Sequence, residues 1–503
     1  MMPSQVREAQ WSQLSEFIAE SMGLHFPRER WDDLKRGLAG AAQEFGIEDV
    51  AACVGWLLSA PPSKAQLQVL ASHLTIGETY FFRDKQTLEA LAENILPELI
   101  RARRGREQRL RIWSAACCTG EEPYSLAILL HQLLPDLQHW HVTITATDIN
   151  ARFLHKATAG LYGEWAFRDA PAGLKERYFN RAADGRYAIV PEIKKLVTFE
   201  HLNLVEDVYP SLATGTNAMD LIFCRNVLMY FTPPQIQKVI GNLRHALVDG
   251  GWLAVSPSEA SKALFPRFAA VNFPGAILFQ KSDAPPRTEP TPMASTQVPE
   301  FFVPAVEESL PWAPAGPAAS LGPAPLKPES GAVAAPPSPL AAAESLYREG
   351  RYAEAADTLL PTFAGRPSEP AAFSLLARAL ANQGNLADAL VWCERWIAAD
   401  KLDAAGHYLH AVVLLERGDA EQARASLQRA LYLDHDFVLA HFALGNLARS
   451  RGRTREADKH FANALHLLRR YQPDDLLPES DGLTAGRLTE TLTSVTDSGD
   501  RHE

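Results

Sequence analysis

Only five of the 503 residues are cysteine (Cys53, Cys117, Cys118, Cys224 and Cys393), and no two form a C-x-x-C pair. That excludes a zinc knuckle or a disulfide framework and leaves reduced core thiols, so no metal ligand set is expected. No run of about 18 or more apolar residues occurs, and the start MMPSQVREAQWSQL lacks the apolar stretch of a signal peptide. A soluble cytoplasmic protein with no direct membrane insertion is expected. Excess positive charge is also missing. The formal net charge of −11 argues against wholesale nucleic-acid binding and leaves room only for a local basic patch. The G-x-G-x-x-G spacing of dinucleotide sites is absent as well.

What is present centres on Arg109 to Leu130, RLRIWSAACCTGEEPYSLAILL. Arg111 to Ala116 read as a buried strand, Thr119-Gly120 as a turn, and Glu121 to Leu130 as a helix with Pro123 in its first turn. Such a unit binds a ligand at the carboxyl edge of a parallel sheet, where free helix N–H groups face the crevice. The acid pair Glu121 and Glu122 repels phosphate and attracts a cofactor carrying a sulfonium and an ammonium, which points to S-adenosylmethionine. For Glu122, stabilisation of the helix dipole explains the residue equally well. Asp148, ending the strand in HVTITATDIN, suits ribose hydroxyls.

The chain is long enough for about three domains of ~150 residues. Residues 1–85 read as a helical domain with apolar faces through Trp11, Leu14 and Ile18, then Trp31, Leu34 and Leu38. It closes in LTIGETYFFRD. There Phe81-Phe82 form a hinge core and Arg83 an ion-pair partner, or Thr79 and Arg83 close over the cofactor. Residues 86–282 alternate strands and helices, the pattern of a mostly parallel α/β sheet, with strands at RIWSAA, VTITATD, LVTFEHLN, MDLIFCRN, WLAVSP and AILFQK. A hairpin is expected at about 177–197, around Asp184-Gly185. The arginines from Arg101 to Arg111 read as a solvated helix end or as a face for an acidic partner. Arg225 and Asn226 follow an apolar strand and are site candidates, although Asn226 also suits a helix cap. Asn203 and Leu204, at another strand end, are placed to flank adenine.

Residues 283–340 are rich in Pro and Ala and read as an extended linker. In 341–471 Gly350, Gly384, Gly418 and Gly452 recur every 34 residues, each followed five positions later by Ala355, Ala389, Ala423 and Ala457. That is the tetratricopeptide period, over four repeats. Such an array takes a peptide or protein ligand, or pairs the protein with a second copy. The polar tail, 472–503, is expected to be disordered.

In order along the chain, TIGETYFFRD, IWSAACCTGEEPYS, ATDIN and DLIFCRNVLMYF resemble the bacterial chemotaxis-receptor glutamate O-methyltransferases (CheR-type), over a little more than half the chain. The resemblance implies a multidomain protein: an all-α N-terminal domain, an α/β Rossmann-like methyltransferase domain with a small β-subdomain, and a C-terminal α-solenoid of tetratricopeptide repeats. It implies S-adenosyl-L-methionine as cofactor, S-adenosyl-L-homocysteine as product, and the cytoplasmic helical bundle of a chemoreceptor as partner, with no nucleic acid. By similarity Thr79, Arg83, Glu121, Asp148, Asn203, Leu204, Arg225 and Asn226 contact the cofactor, and Tyr230 with Arg83 lies at the methyl-transfer point. Gly77 belongs to the same cofactor-binding segment but stands where the family pattern T-x-N-x-T-x-F-F-R has asparagine. The region of Lys35-Arg36 is less basic than in well-known members, which shifts receptor docking toward the arginines near Arg104 or the repeats. Two other readings compete. Nucleic-acid methylation expects Asn/Asp-Pro-Pro-aromatic where Cys224-Arg225-Asn226 stands. A weakly catalytic or non-catalytic receptor-binding scaffold would act through the repeat array.

Overall fold

The computed structural model describes residues 6–282, 338–363 and 370–497. The first layer is helical. Glu8–Met22, Trp31–Glu44, Val50–Ser59 and Lys64–Leu74 bury Trp11, Leu14, Ile18, Leu34, Leu38 and Leu70 against one another. Ser63 and Gln66 form a capping box that starts the fourth helix by satisfying N–H groups that have no partner inside it.

The α/β part carries β1 (Arg109–Ala115), β2 (His141–Asp148), β3 (Leu161–Tyr162), β4 (Phe179–Arg181), β5 (Tyr187–Ile189), β6 (Val197–His201), β7 (Met219–Cys224), β8 (Leu247–Ala254), β9 (Phe268–Phe273) and β10 (Ala276–Lys281). The main sheet runs β6-β2-β1-β7-β8-β10-β9. Its first five strands are parallel, and β10 is antiparallel to β8 and β9. β1 is buried along its whole length, as a central strand covered on both faces must be. The hairpin expected near Asp184-Gly185 is β4–β5, and β3 joins it in a small second sheet. Phe81 anchors that sheet: its ring stacks on Phe167 at 5.0 Å and meets Tyr162 and Phe179 edge-on. β3 and β9 were not among the strands expected from sequence.

The arginines divide: Arg101, Arg104 and Arg106 are exposed at and just past the end of the helix Leu96–Arg103, as a solvated helix end would be, but the last two of the run are not. Arg109 and Arg111 lie within β1 and are buried. Arg111 Nη1 lies 2.7 Å and Arg109 Nη1 3.4 Å from Glu416 Oε2 of the repeat array. Arg103 pairs with buried Asp220, and Arg104 with Asp136. The run does face an acid, and the acid belongs to the same chain.

The Pro/Ala stretch lies outside the described residues apart from its last three positions, where Ser338 caps the helix Pro339–Arg348. Helix pairs then follow: Pro339–Arg348 with Tyr352–Leu359, Pro370–Asn382 with Leu386–Ala399, Ala404–Arg417 with Ala420–Leu433, and Val438–Ser450 with Thr454–Leu468. The four period-34 glycines all have positive φ, which an L side chain resists in a tight interhelical turn. Gly445 takes the place of the alanines at 343, 377 and 411 because Phe461 packs there. A Cβ on Gly445 would lie 2.3 Å from that ring.

The tail corrects the expectation of disorder. Residues 472–497 include a bridge between Leu476 and Thr484 and a helix, Ala485–Asp497. Leu477, Leu483, Leu488 and Leu492 are buried in the core of the repeats. These apolar residues are too sparse to fold alone, and the array supplies the surface they cover.

Candidate active site

The turn between β1 and the helix Glu121–Leu133 builds the floor of a crevice at the carboxyl end of the sheet. Ala116, Cys118 and Gly120 all have positive φ, 63°, 51° and 93°. Asp148 holds this shape from the end of β2: one carboxylate oxygen accepts the Cys118 N–H and the other the Asn150 N–H, both at 2.8 Å. Burial pushes the Asp148 carboxyl up to about 6, against the lowering effect of those backbone N–H groups. Glycine is required at 120, because a Cβ there would come within 2.8 Å of the Ala157 Cβ. Burial also pushes the Cys118 thiol up to about 12, so it is a poor nucleophile.

Arg225, just past β7, reaches across the crevice. Its guanidinium donates to Glu122 Oε2 and to Asp84 Oδ2, each at 3.1 Å, and to the Arg83 carbonyl at 3.2 Å. Glu122 also accepts from Ser114 Oγ at 2.7 Å. Burial raises the Glu122 carboxyl, and the Arg225 charge opposes that rise. The loop after β7 is shaped by Glu259, whose carboxylate accepts the N–H groups of Asn226, Val227, Met229 and Ser256. Asn226 is held there at φ 58°. Sequence reading missed Glu259. The Ser256-x-x-Glu259 spacing, which resembles a capping box, was the available signal.

The N-terminal helices roof the crevice. His25 N–H donates to the Tyr230 carbonyl at 2.7 Å, and Asn203 Nδ2 to the Ser21 carbonyl at 2.9 Å. The cavity enclosed has about 1040 Å³ of empty space, its open mouth included. Thr79, Arg83, Asp148, Asn203, Leu204, Arg225, Asn226 and Tyr230 all line it. Its wall also takes Met22, Phe26, Arg30, Cys118 and Phe153, which sequence reading had not assigned to the cofactor, and Glu122, for which a helix-dipole role had explained the residue equally well.

Two expected contacts lie elsewhere. Glu121 is off the wall: its buried carboxylate accepts from Thr119 Oγ1 at 2.7 Å. Consecutive helix positions point about 100° apart, so only one of the pair faces the crevice, and it is Glu122. Gly77 is also absent from the wall. A Cβ at 77 would lie 2.8 Å from Phe153 Cζ, so the phenyl ring takes up the space a side chain would need.

The donor set suits a zwitterionic nucleoside: carboxylates at Glu122 and Asp148, guanidiniums at Arg83 and Arg225, and apolar walls at Leu204 and Phe153. Among the described residues no group of three or more His, Cys, Asp or Glu is placed to hold a metal ion, and no helix is long and apolar enough to cross a membrane.

Residues 77–274 match a family model described as CheR methyltransferase, SAM binding domain, and residues 340–404 and 404–429 match tetratricopeptide-repeat models. The chain is 30% identical over 388 residues to the probable biofilm formation methyltransferase WspC of Pseudomonas aeruginosa, a match covering 76% of this chain and 82% of that protein. It is 37% identical over 218 residues to chemotaxis protein methyltransferase 1 of the same organism, covering 42% of this chain and 77% of that one. Against chemotaxis protein methyltransferase Cher2 of Pseudomonas putida it is 30% identical over 275 residues, 54% of this chain and 97% of the relative. Crevice, roof and repeats thus converge with the comparisons on one conclusion: this chain belongs to the CheR methyltransferase family, as a member with tetratricopeptide repeats behind its SAM-binding domain.

Proposed function

We propose that the protein methylates glutamate side chains on the cytoplasmic helical bundle of a chemoreceptor, giving glutamate methyl esters and S-adenosyl-L-homocysteine in a cytoplasmic chemosensory pathway. The same reading divides the chain into 1–85, 86–282, 283–340 and 341–471, with the described part of the tail, 472–497, counted as part of the repeat body. The observation that carries it is the cavity where Glu122, Asp148 and Arg225 meet beneath the N-terminal helices, with Tyr230 and Arg83 on its wall.

Arg83 and Glu122 would hold the carboxylate and ammonium of the donor, Asp148 its ribose hydroxyls, and Asn203 with Leu204 its adenine. When bound, the sulfonium supplies an electrophilic methyl group. A glutamate carboxyl, with an ordinary pKa of about 4.3, is already anionic at neutral pH, so its oxygen needs no general base. The O–CH3 bond forms as the S–CH3 bond breaks, and the electron pair goes to sulfur, leaving a neutral thioether. What the chain adds is in-line alignment, the main source of rate in such a transfer. Tyr230, with the Arg30 guanidinium 5.4 Å from its ring, would orient the incoming carboxylate without neutralising it.

The test is transfer of a radiolabelled methyl group to a purified receptor fragment, with base-labile label on glutamate. Transfer should be lost in D148A and R225A. Label retained by both variants, or found on nucleic acid, would sink the reading.

A further inference from the structure

The groove of the repeat array already holds a peptide, and that peptide is the chain's own tail. Arg378, on the helix Pro370–Asn382, is only 6% exposed. A guanidinium buried so deeply requires anionic partners, because a lone charge out of water is strongly disfavoured. Its Nη1 lies 2.7 Å from Asp481 Oδ1, while Nη2 donates to the Glu479 carbonyl at 3.1 Å and to the Glu479 carboxylate. Half-buried Tyr347 and buried Tyr408, from the first helices of the flanking repeats, lie within electrostatic reach of Asp481. Glu479 and Asp481 sit at φ 61° and 53° beside Gly482 at 99°. Non-glycine residues keep that conformation only where the surroundings impose it.

The seated segment also touches the methyltransferase part. Ser211 Oγ donates to the Ser480 carbonyl at 3.3 Å, and Arg487 Nη2 to the His201 carbonyl at 2.8 Å. His201 Nε2 in turn pairs with the carbonyl of Ile149, a residue of the cavity wall, at 2.9 Å.

We propose that the Arg378 groove is a docking site for an acidic segment of a partner protein, an apolar residue at the place of buried Leu477 followed by an acid-x-acid pair, and that Leu476–Leu483 is a built-in occupant which the partner displaces. Acid-x-acid spacing places two carboxylates on one guanidinium fork, which gives the site its selectivity. Displacement breaks the Ser480–Ser211 contact and loosens the start of the helix that carries Arg487, so occupancy of the groove is passed to the loop beside Asn203. The inference rests on the repeats and the tail and stands independently of the methyl-transfer reading.

The test uses the full chain carrying E479Q and D481N, titrated with a fluorescent peptide of residues 474–485. The opened chain should bind it at least about tenfold more tightly than the unaltered chain, R378M added to the opened chain should abolish binding, and a peptide with Gln and Asn at the two acids should not bind. In the unaltered chain the acidic peptide, at about the millimolar effective concentration of a tethered segment, should speed amide exchange over residues 485–493. That second measurement decides the matter if the opened chain does not fold. Equal binding by opened and unaltered chains, binding of the neutral peptide, or exchange unmoved by saturating acidic peptide would overturn the proposal.

Discussion

Arg225 and Glu122 meet at 3.1 Å across the crevice floor, one from the end of β7 and the other from the first turn of the helix Glu121–Leu133. Because Arg225 also holds Asp84, a single side chain ties together the two strand ends and the segment Tyr80–Asp84. Replacing it strands two carboxylates in a buried setting, a loss of about 3–5 kcal/mol when one partner of a buried pair is removed. R225A should therefore melt earlier and bind S-adenosylhomocysteine at least about tenfold more weakly by calorimetry. E122Q, which spares the Arg225–Asp84 contact, should melt closer to the unaltered protein. Unchanged melting and affinity in R225A would refute the assignment.

Asp148 gives a pH signature. Its folded pKa of about 6 lies above the unfolded carboxylate value of about 3.9. Ionisation therefore works against the folded state: the cost grows as pH rises from about 4 to about 6 and is complete above that. A ligand whose hydroxyls donate to the carboxylate favours the ionised form. Affinity for S-adenosylhomocysteine should accordingly fall about tenfold per pH unit below 6, and D148N should flatten the profile. Calorimetry between pH 5 and 8 checks this, and a level profile in the unaltered protein would count against it.

Gly77 and Phe153 form a size-matched pair. G77N alone drives a side chain into the phenyl ring and should cost about 1–3 kcal/mol, as overpacking does. G77N/F153A makes room for the asparagine of the family pattern and should recover part of that loss. Denaturant melts of the two single variants and the double variant test the coupling. Strict additivity would show that the residues do not share the space.

Glu416 carries the contact between the repeats and the sheet, facing Arg109 and Arg111 together. E416A leaves two buried guanidiniums without that acid and should loosen the array. The expected readout is a larger radius of gyration by small-angle scattering and faster amide exchange over Leu110–Trp113. An identical scattering profile would mean that the contact does not hold the parts together.

The β1–turn–helix unit could be read from the chain because its determinants are local: strand alternation, a turn glycine and a helical period within about twenty residues. The repeats were legible for a different reason, since a period of 34 residues imprints the same small positions again and again. What sequence reading missed depends on distant partners. Arg111 could be read both as the start of a buried strand and as the end of a basic run, because Glu416, which decides between them, lies in another part of the chain. Choosing between Glu121 and Glu122 required the rotational phase of the helix. Glu259 is an ordinary acid until the loop after β7 folds around it. Leu477, Leu483 and Leu488 become core residues only against the finished array.

β6 is the outermost strand of its sheet, and its carboxyl end meets the repeats and the tail. There Arg449 is in electrostatic reach of half-buried Glu200, and Arg487 donates to the His201 carbonyl. An uncovered parallel border of this kind invites pairing with another molecule. A version of the protein cut before residue 338 would therefore be a sticky fragment, prone to form multimers through β6, rather than a catalyst relieved of an accessory.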